Sequence, residues 1–339
     1  AMFLIISEIY LFLFRTHVKL GNRHKLSVGT EYIVDVLKSQ TDNIAKEDAY
    51  TLALFAQDEI KLLRNLQALI GVRYIYHENF KNHATPNVAL MYKPGKFNFR
   101  ASYAAGFRTP TLSELYATDI AKKNDRLTIG NLDLKPEKNN YFSLSAEYVH
   151  ERFSVSVNAF YNNIRDMIDY NTIATGDKAM EQYGHKEVRQ RDNIAEAKVH
   201  GINVSANAYL DAGFNLSGGY THLNTQDVEL EQPIDKSIKN AYNINAQWAH
   251  SWKIYRLNIN LNGRINSKRF SKSYGYAPEY QLWDLNTRHS FNLKSVIIEP
   301  GFGMENLFDY MDDRPYNSNY ATLTPGRSFY ISLSLKFKS

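Results

Sequence analysis

The chain has 339 residues with 40 basic and 35 acidic side chains, and its mild net charge of +5 and lack of a basic stripe argue against a nucleic-acid-binding protein. Cysteine is absent, which excludes disulfides and thiolate metal sites. No apolar run approaches the roughly 20 residues that a transmembrane helix needs. Tyrosine (24) and phenylalanine (18) are abundant although the mean hydropathy is only −0.44, a combination typical of strands that face lipid on one side and water on the other.

The first predicted element is the apolar stretch MFLIISEIYLFLF, from Met2 to Phe14. It contains Glu8, lacks a basic start and is followed by Arg15 rather than by a small-residue cleavage site, so we do not assign a signal peptide. Its alternation is also poor for a strand. Residues 1–22 are therefore interpreted either as a strand or as a non-native start.

Further along the chain, apolar or aromatic residues alternate with Asn, Ser and Arg in one segment after another. The clearest examples are KFNFRASYAAG (Lys96 to Gly106), FSLSAEYV (Phe142 to Val149), RFSVSVNAFY (Arg152 to Tyr161), GINVSANAYL (Gly201 to Leu210) and RLNINLNGRIN (Arg256 to Asn266). Such polar residues suit a hydrated lumen, and the apolar ones suit lipid. We predict that one face carries the lipid-facing side chains Phe97, Phe99, Val155, Val157, Ile259 and Leu333.

The connections between these segments alternate between short and long, as periplasmic turns and extracellular loops do in outer-membrane barrels. Short turns are predicted at residues 93–96, 150–152, 210–213, 251–254 and 293–295, and long polar connections at about 106–138, 165–195, 224–240, 267–279 and 309–327. Counting back from the C-terminus predicts about fifteen strands, centred near residues 333, 301, 285, 260, 245, 218, 203, 158, 144, 101, 89, 71, 55, 29 and 13. An odd number of antiparallel strands makes the first and the last run in the same direction.

Two segments resemble paired motifs of a known family: AAGFRTPTLSELY (Ala104 to Tyr116) and GNLDLKPEKNNYFSLSAEY (Gly130 to Tyr148). They are similar to the Phe-Arg-x-Pro and Asn-x-Asp-Leu-x-Pro-Glu boxes of TonB-dependent outer-membrane receptors. Three more segments follow in the family's order: NIAEAKVHGINVSANAYL (Asn193 to Leu210), GMENLFDYMDDRPY (Gly303 to Tyr316) and TPGRSFYISLSLKF (Thr324 to Phe337). The resemblance implies an all-β, antiparallel meander transmembrane barrel of 22 strands. We expect residues 1–339 to form the C-terminal part of that barrel domain, with the plug domain absent.

The same resemblance implies a function in the bacterial outer membrane. The expected activity is energised uptake of a scarce small-molecule nutrient, namely a ferric siderophore, haem or cobalamin. The implied partners are outer-membrane lipid, the TonB complex acting through the missing plug region, and the barrel-assembly machinery. A passive outer-membrane porin is the alternative, since a porin shares the alternation and the loop asymmetry. We expect no cofactor and no enzyme activity, because the sequence contains no metalloprotease, nucleophile-elbow or phosphate-loop motif.

Arginines and tyrosines of the long connections are the candidate ligand-binding residues, because they favour anionic or aromatic ligands through paired hydrogen bonds and stacking. They are Arg108, Tyr116, Arg126, Arg189, Arg191, Arg269, Tyr274 and Tyr276. Haem receptors carry a histidine between the two boxes, and residues 111–130 contain none, which leaves Tyr116 and, in the next connection, His185 as candidate iron ligands. Phe337 is the candidate assembly signal, as the aromatic residue near the end of the last strand, although Lys338 and Ser339 follow it.

Overall fold

A computed structural model describes residues 5–39, 44–121, 125–271, 275–312 and 324–338. In chain order, its elements are β1 (Ile5–Leu20), β2 (His24–Ser39), β3 (Ile44–Leu63), β4 (Leu66–His77), β5 (Lys81–Tyr92), β6 (Phe97–Arg108), α1 (Leu112–Tyr116), β7 (Asp119–Ala121), β8 (Arg126–Ile129), β9 (Glu137–Val149), β10 (Phe153–Thr175), α2 (Gly176–Tyr183), β11 (Glu187–Leu210), a 3-10 turn (Asp211–Gly213), β12 (Phe214–Asp227), β13 (Asn240–Trp252), β14 (Tyr255–Asn266), β15 (Arg269–Ser271), β16 (Gly275–Ala277), β17 (Tyr280–Asn292), β18 (Val296–Glu305) and β19 (Ser328–Phe337).

Fifteen of these strands form one antiparallel meander across the described residues, in the order β1 to β6, β9 to β14 and β17 to β19. The predicted number of strands is therefore confirmed, and all fifteen predicted centres fall within strands. β1 and β19 run in the same direction, as the odd count requires. β7 and β8 lie beside the meander, and β15 and β16 form a separate hairpin.

The strand register separates a polar face from an apolar face. Side chains on the polar face bond across neighbouring strands: Ser102 to Ser143 at 2.6 Å, and Ser156 to Ser205 at 2.7 Å. Asn245 continues this pattern with bonds of 2.7 and 2.6 Å to two asparagines of β14. The six residues predicted to face lipid all lie on the apolar face, where five of them are exposed. Alternation along each strand thus becomes two continuous surfaces of opposite polarity.

Residues 5–20, near the start of the chain, form a regular strand, β1. β1 pairs with β2 along its whole length, from Ile5 opposite Ser39 to Leu20 opposite His24. Apolar side chains occur at consecutive positions such as Ile9, Tyr10 and Leu11, which explains why the alternation looked poor. Within the described ranges, no helix combines the length and the apolar composition needed to cross a membrane.

Two long connections are shorter than predicted because strands continue into them. The predicted connection at 165–195 is mostly β10, which ends at Thr175, and β11, which begins at Glu187. The connection at 224–240 is reduced to residues 228–239. Polar residues outnumber apolar ones in both extensions, so the apolar alternation on which the prediction depended is interrupted there. Backbone hydrogen bonds between the paired strands continue the sheet through these polar stretches.

Candidate functional site

The segment between β6 and β9, residues 109–136, begins with a short helix whose start is readable from the sequence. Thr111 accepts a hydrogen bond at its side-chain oxygen from the backbone N–H of Glu114, at 3.1 Å. Glu114 in turn accepts one from the backbone N–H of Thr111, at 2.9 Å. This reciprocal capping box satisfies two backbone donors and sets where α1 begins.

Arg108, the last residue of β6, joins this helix to the sheet. Its guanidinium donates to both oxygens of Glu137, directly opposite on β9, at 2.8 and 2.5 Å. It also donates to both oxygens of Glu114 at 2.9 and 3.3 Å. The two carboxylates are only 15% and 16% exposed, whereas Arg108 is 43% exposed. Arg108 was predicted to bind ligand; in the structure its guanidinium donates to two carboxylates and so links α1 to the sheet.

α1 packs on strands that are distant from β6 in the meander. Leu112 forms a buried cluster with Leu37 of β2 and Ala49 of β3, on the polar face of the sheet. Leu115 packs with Leu134 and Ile168 in a second cluster. Since β4 and β5 lie between β3 and β6, the segment 109–136 must cross the polar face above them. Tyr116, another predicted ligand residue, is half-buried against both clusters.

Residues 130–135, which begin the second family motif, hold the later part of segment 109–136 against β11. Asn131 donates its side-chain amide to the backbone carbonyl of Arg191 at 2.9 Å, and its backbone N–H bonds the carbonyl of Glu114 at 3.0 Å. Asn193 accepts from the Lys135 backbone N–H at 2.6 Å and donates to the Lys135 carbonyl at 2.8 Å. Asn131 and Asn193 therefore have structural roles in fastening the segment.

β8 extends the ends of β10 and β11 into a small sheet with two unlike faces. β8 pairs in parallel with β11, so that Leu127 lies opposite Val188. Val188 is buried with Ala174 and with Ala179 of α2, and Leu127 packs against the same cluster. α2 thus covers the apolar face of this extension and leaves the other face for polar side chains.

Three predicted arginines share that polar face, which we call the arginine face: Arg126, Arg189 and Arg191, with Tyr170 beside them. The guanidinium carbon of Arg191 lies 3.8 Å from the centre of the Tyr170 ring, a stacking contact that orients the cation. Arg189 donates to Glu187 at 2.5 Å. Arg126 has no carboxylate partner among the described residues. The arginine face therefore offers cationic, stacked donors to an anionic or aromatic molecule.

The remaining candidates lie elsewhere. Arg269 and Tyr276 are in the β15–β16 hairpin, where Tyr276 is exposed and contacts Phe270 edge-on at 5.3 Å. Tyr274 falls outside the described residues. Phe337 ends β19 on the apolar face, opposite Val296, and is 82% exposed. The structure thus groups Arg126, Arg189 and Arg191 on one face, whereas Arg108 pairs with Glu114 and Glu137 and Tyr116 packs against the two buried clusters.

His185 is hydrogen-bonded through one of its two ring nitrogens. Its Nδ1 lies 2.9 Å from a carboxylate oxygen of Asp125, just before β8. This hydrogen bond lowers the pKa of Asp125 below its usual value. Together with the bond from the Lys186 backbone N–H to the Asp125 carbonyl, at 3.0 Å, it ties the start of β8 to the start of β11. The pair supports the arginine face from beside it.

Sequence reasoning missed Glu114, Glu137 and Tyr170, the partners of the predicted arginines. The Thr-x-x-Glu spacing of Thr111 and Glu114 could have revealed the capping box before the structure was known. Glu137 and Tyr170 carry no comparable local signal. Their positions opposite Arg108 and Arg191 follow only from the strand register.

Acid is expected to loosen α1. Burial raises the pKa of Glu114, but hydrogen bonds from Arg108 and Thr111 outweigh it, so the pKa lies below the ordinary 4.5. The ionised carboxylate therefore stabilises the fastened segment above that value, and the contribution is lost as pH falls through the lowered pKa. The measurement is deuterium-exchange protection of the Leu115 amide, which should fall in acid. Glu114→Gln should weaken that acid dependence, and an identical dependence in the variant would contradict the assignment.

The comparisons with known proteins agree with this architecture. Residues 8–307 match the family model described as TonB dependent receptor-like, beta-barrel. A mutant of the ferric enterobactin receptor PfeA from Pseudomonas aeruginosa is similar in structure, with a TM-score of 0.80 at 19% identity over 98% of this chain and 54% of that one. The siderophore receptor PirA from Pseudomonas aeruginosa gives 0.77 at 18% identity, over 99% of this chain and 57% of that one.

The copper transporter OprC is also similar, with a TM-score of 0.74 at 11% identity over 98% of this chain and 56% of that one. The chain thus spans about half the length of the solved structures that it resembles, and at these identities the likeness establishes the fold. The fifteen-stranded meander is the fold of this barrel, and the family model covers most of the chain. The chain belongs to the TonB-dependent receptor β-barrel family.

Proposed function

We propose that the protein containing this chain is an outer-membrane receptor that takes up a ferric siderophore by an energised mechanism. Family membership supports the receptor class. The names of the similar structures include ferric enterobactin and siderophore receptors, which supports the ligand class. TonB as the source of energy, and assembly machinery that recognises Phe337, are further parts of this proposal.

The arginine face is the observation that carries the ligand proposal. Ferric complexes of catechol-type siderophores are anionic and aromatic. Arg126 and Arg191 supply charge-assisted donors, Arg189 lies beside them with its Nε paired to Glu187, and the Arg191–Tyr170 stack supplies a flat cationic surface. Cobalamin carries no comparable anionic rim, and haem normally needs an iron ligand. The loop histidine considered for that role, His185, is hydrogen-bonded to Asp125 through Nδ1, so its Nε2 is the nitrogen that would meet iron.

The competing interpretation is a passive porin. A porin would use the same polar face as the wall of an open channel and would need no energy source. The matched family model describes TonB-dependent receptors, which favours the energised mechanism. Segment 109–136 also lies over the polar face, where Arg108, Asn131 and Asn193 fasten it. It therefore occupies space that the open channel of a porin would need.

The test is growth of a bacterial strain that lacks its own siderophore receptors and expresses the protein containing this chain. We expect growth on limiting ferric catecholate siderophore that stops when TonB is deleted. Arg191→Ala should raise the siderophore concentration needed by roughly tenfold, the equivalent of one lost charge-assisted contact.

Arg152→Ala is the matched control, since this exposed arginine lies in a short turn at the opposite end of the strands. It should leave growth unchanged. Growth on haem or cobalamin alone would overturn the ligand class. Growth that persists without TonB would overturn the energised mechanism in favour of the porin.

A further inference from the structure

The apolar face carries a band of aromatic side chains close to the short turns. Neighbouring rings are in contact along the band: Phe97 to Tyr148 at 4.9 Å, Trp252 to Tyr255 at 5.5 Å, and Tyr255 to Phe291 at 5.1 Å between ring centres. We call it the turn-side belt, and its members are Phe97, Tyr148, Phe153, Phe214, Trp248, Trp252, Tyr255 and Phe291. Aromatic residues at the end of an apolar band mark the level of lipid headgroups.

The short turns directly beyond this belt are strongly cationic. The seven connections at residues 21–23, 64–65, 93–96, 150–152, 211–213, 253–254 and 293–295 contain only two acidic residues, Glu151 and Asp211. Asp211 is paired with Arg152 at 2.8 Å. Six cations in these turns are exposed and make no salt bridge within the described ranges: Arg23, Arg64, Lys93, Lys96, Lys253 and Lys294.

The opposite end of the sheet shows no such excess. Its connections, residues 40–43, 78–80, 109–136, 176–186, 228–239, 267–279 and 306–327, contain thirteen lysines and arginines and fifteen acidic residues. An excess of positive over negative charge is therefore found only in the connections at the short-turn end of the strands. A solubility requirement would not place it there, because both ends would need it equally.

One of the turn cations occupies a position that ordinarily favours glycine or asparagine. Lys253 has a φ of 34°, in the left-handed region, within the two-residue turn between β13 and β14. A side chain there costs backbone strain that glycine would avoid. Lys253 places its charge next to Trp252. The turn that contains Lys294 lies close by, because the backbone N–H of Asn292 donates to the carbonyl of Ile254 at 2.7 Å.

We propose that the turn-side belt and the six turn cations bind anionic phospholipid headgroups at the short-turn end of the membrane. The aromatic rings would lie at the headgroup level while the lysines and arginines reach the phosphates. The cations are spread along the rim of the sheet instead of converging in one cavity, and they continue the apolar face. This arrangement suits a layer of lipid better than a single phosphate ion. The inference rests on the membrane placement proposed above.

The tryptophans allow a direct measurement, because the chain contains three and two belong to the belt. Trp283, near the start of β17, lies toward the other end of the strands. In a Trp283→Phe background, the full chain folded in phosphatidylcholine vesicles should fluoresce from Trp248 and Trp252 alone. Brominated phosphatidylglycerol should then quench this emission about twofold more strongly than brominated phosphatidylcholine at equal mole fraction, because anionic lipid is enriched near the cations.

Removing half of the charges should weaken the preference. The variant Lys93→Gln, Lys253→Gly, Lys294→Gln lacks three turn cations, and glycine at position 253 relieves the backbone strain, so folding should be retained. We expect the difference between its two quenching values to fall by at least about half, since three of the six cations are gone. Circular dichroism in the same vesicles checks the fold, and native mass spectrometry of retained phosphatidylglycerol gives a second readout.

The matched control changes the other end of the sheet: Lys178→Gln, Lys236→Gly and Lys239→Gln, where Lys236 is likewise a left-handed lysine with φ of 63°. This control should keep the preference. Equal quenching by both lipids in the parent protein would overturn the lipid inference while leaving membrane insertion intact. Loss of the preference on adding inorganic phosphate would show a simple anion site and would also overturn it. Absence of quenching by either lipid would contradict the membrane placement itself.

Discussion

Replacing Arg108 with alanine is expected to release α1 from the sheet. The variant leaves Glu114 and Glu137, both largely buried, without their shared cation. Breaking a fully buried pair costs several kcal/mol, but Arg108 is partly exposed, so we expect about 1–3 kcal/mol for local opening of segment 109–136. Deuterium exchange at the Leu115 and Ala117 amides, which close the turns of α1, should become about 5- to 150-fold faster.

Arg108→Lys is the informative partner of this variant. Lysine keeps the charge but cannot make two-pronged bonds to two carboxylates at once, so its exchange rates should fall between those of the parent and Arg108→Ala. Deuterium exchange at the Ser205 amide, in β11, should not change in either variant. If Arg108→Ala left the α1 amides fully protected, the fastening role of Arg108 would be wrong and its ligand-binding role would regain support.

Alanine at Gly130 is expected to displace the same helix by a different route. A Cβ atom there would lie 2.5 Å from the Leu115 carbonyl oxygen and 2.7 Å from its carbon, and backbone atoms cannot move aside cheaply. The next residue, Asn131, donates its backbone N–H to the Glu114 carbonyl, and this hydrogen bond would also be strained. We expect a cost of about 1–3 kcal/mol, typical of overpacking, and faster exchange at Leu115.

Gly218→Ala provides the control for this substitution. Its added Cβ would meet only one atom within 4 Å, a backbone oxygen at an ordinary 3.7 Å. This variant should match the parent in exchange at Leu115 and in folded yield. Equal behaviour of the two alanine variants would contradict the close approach of Gly130 to α1.

Most strands could be predicted from sequence because their two faces differ in polarity, so that apolar and polar side chains alternate along them. β6, β10 and β14 show it plainly, and short turns such as residues 93–96 set their ends. The prediction failed where that constraint ends, as in the outer parts of β10 and β11. There polar residues interrupt the apolar ones that α2 covers, and this largely polar composition resembled a loop.

The candidate site was only partly predictable for a related reason. Arginine is a good donor to an anionic ligand, but it is an equally good partner for carboxylates within the protein. Arg108 and Arg191 therefore looked alike in the sequence. Their difference lies in tertiary neighbours: Glu137 stands opposite Arg108, whereas Tyr170 stands opposite Arg191. The register between β6 and β9 sets the first pairing, and the register between β10 and β11, with its shifts, sets the second; neither has a local sequence signal.

The central claim is that one face of the meander meets lipid and the other a hydrated lumen, and single cysteines test it most directly. Because the chain has no native cysteine, Val157→Cys and Ser156→Cys each introduce one thiol on opposite faces of β10. In the folded protein in membranes, a water-soluble thiol reagent should label position 156 and spare position 157. Labelling of position 157 together with protection of position 156 would contradict the account.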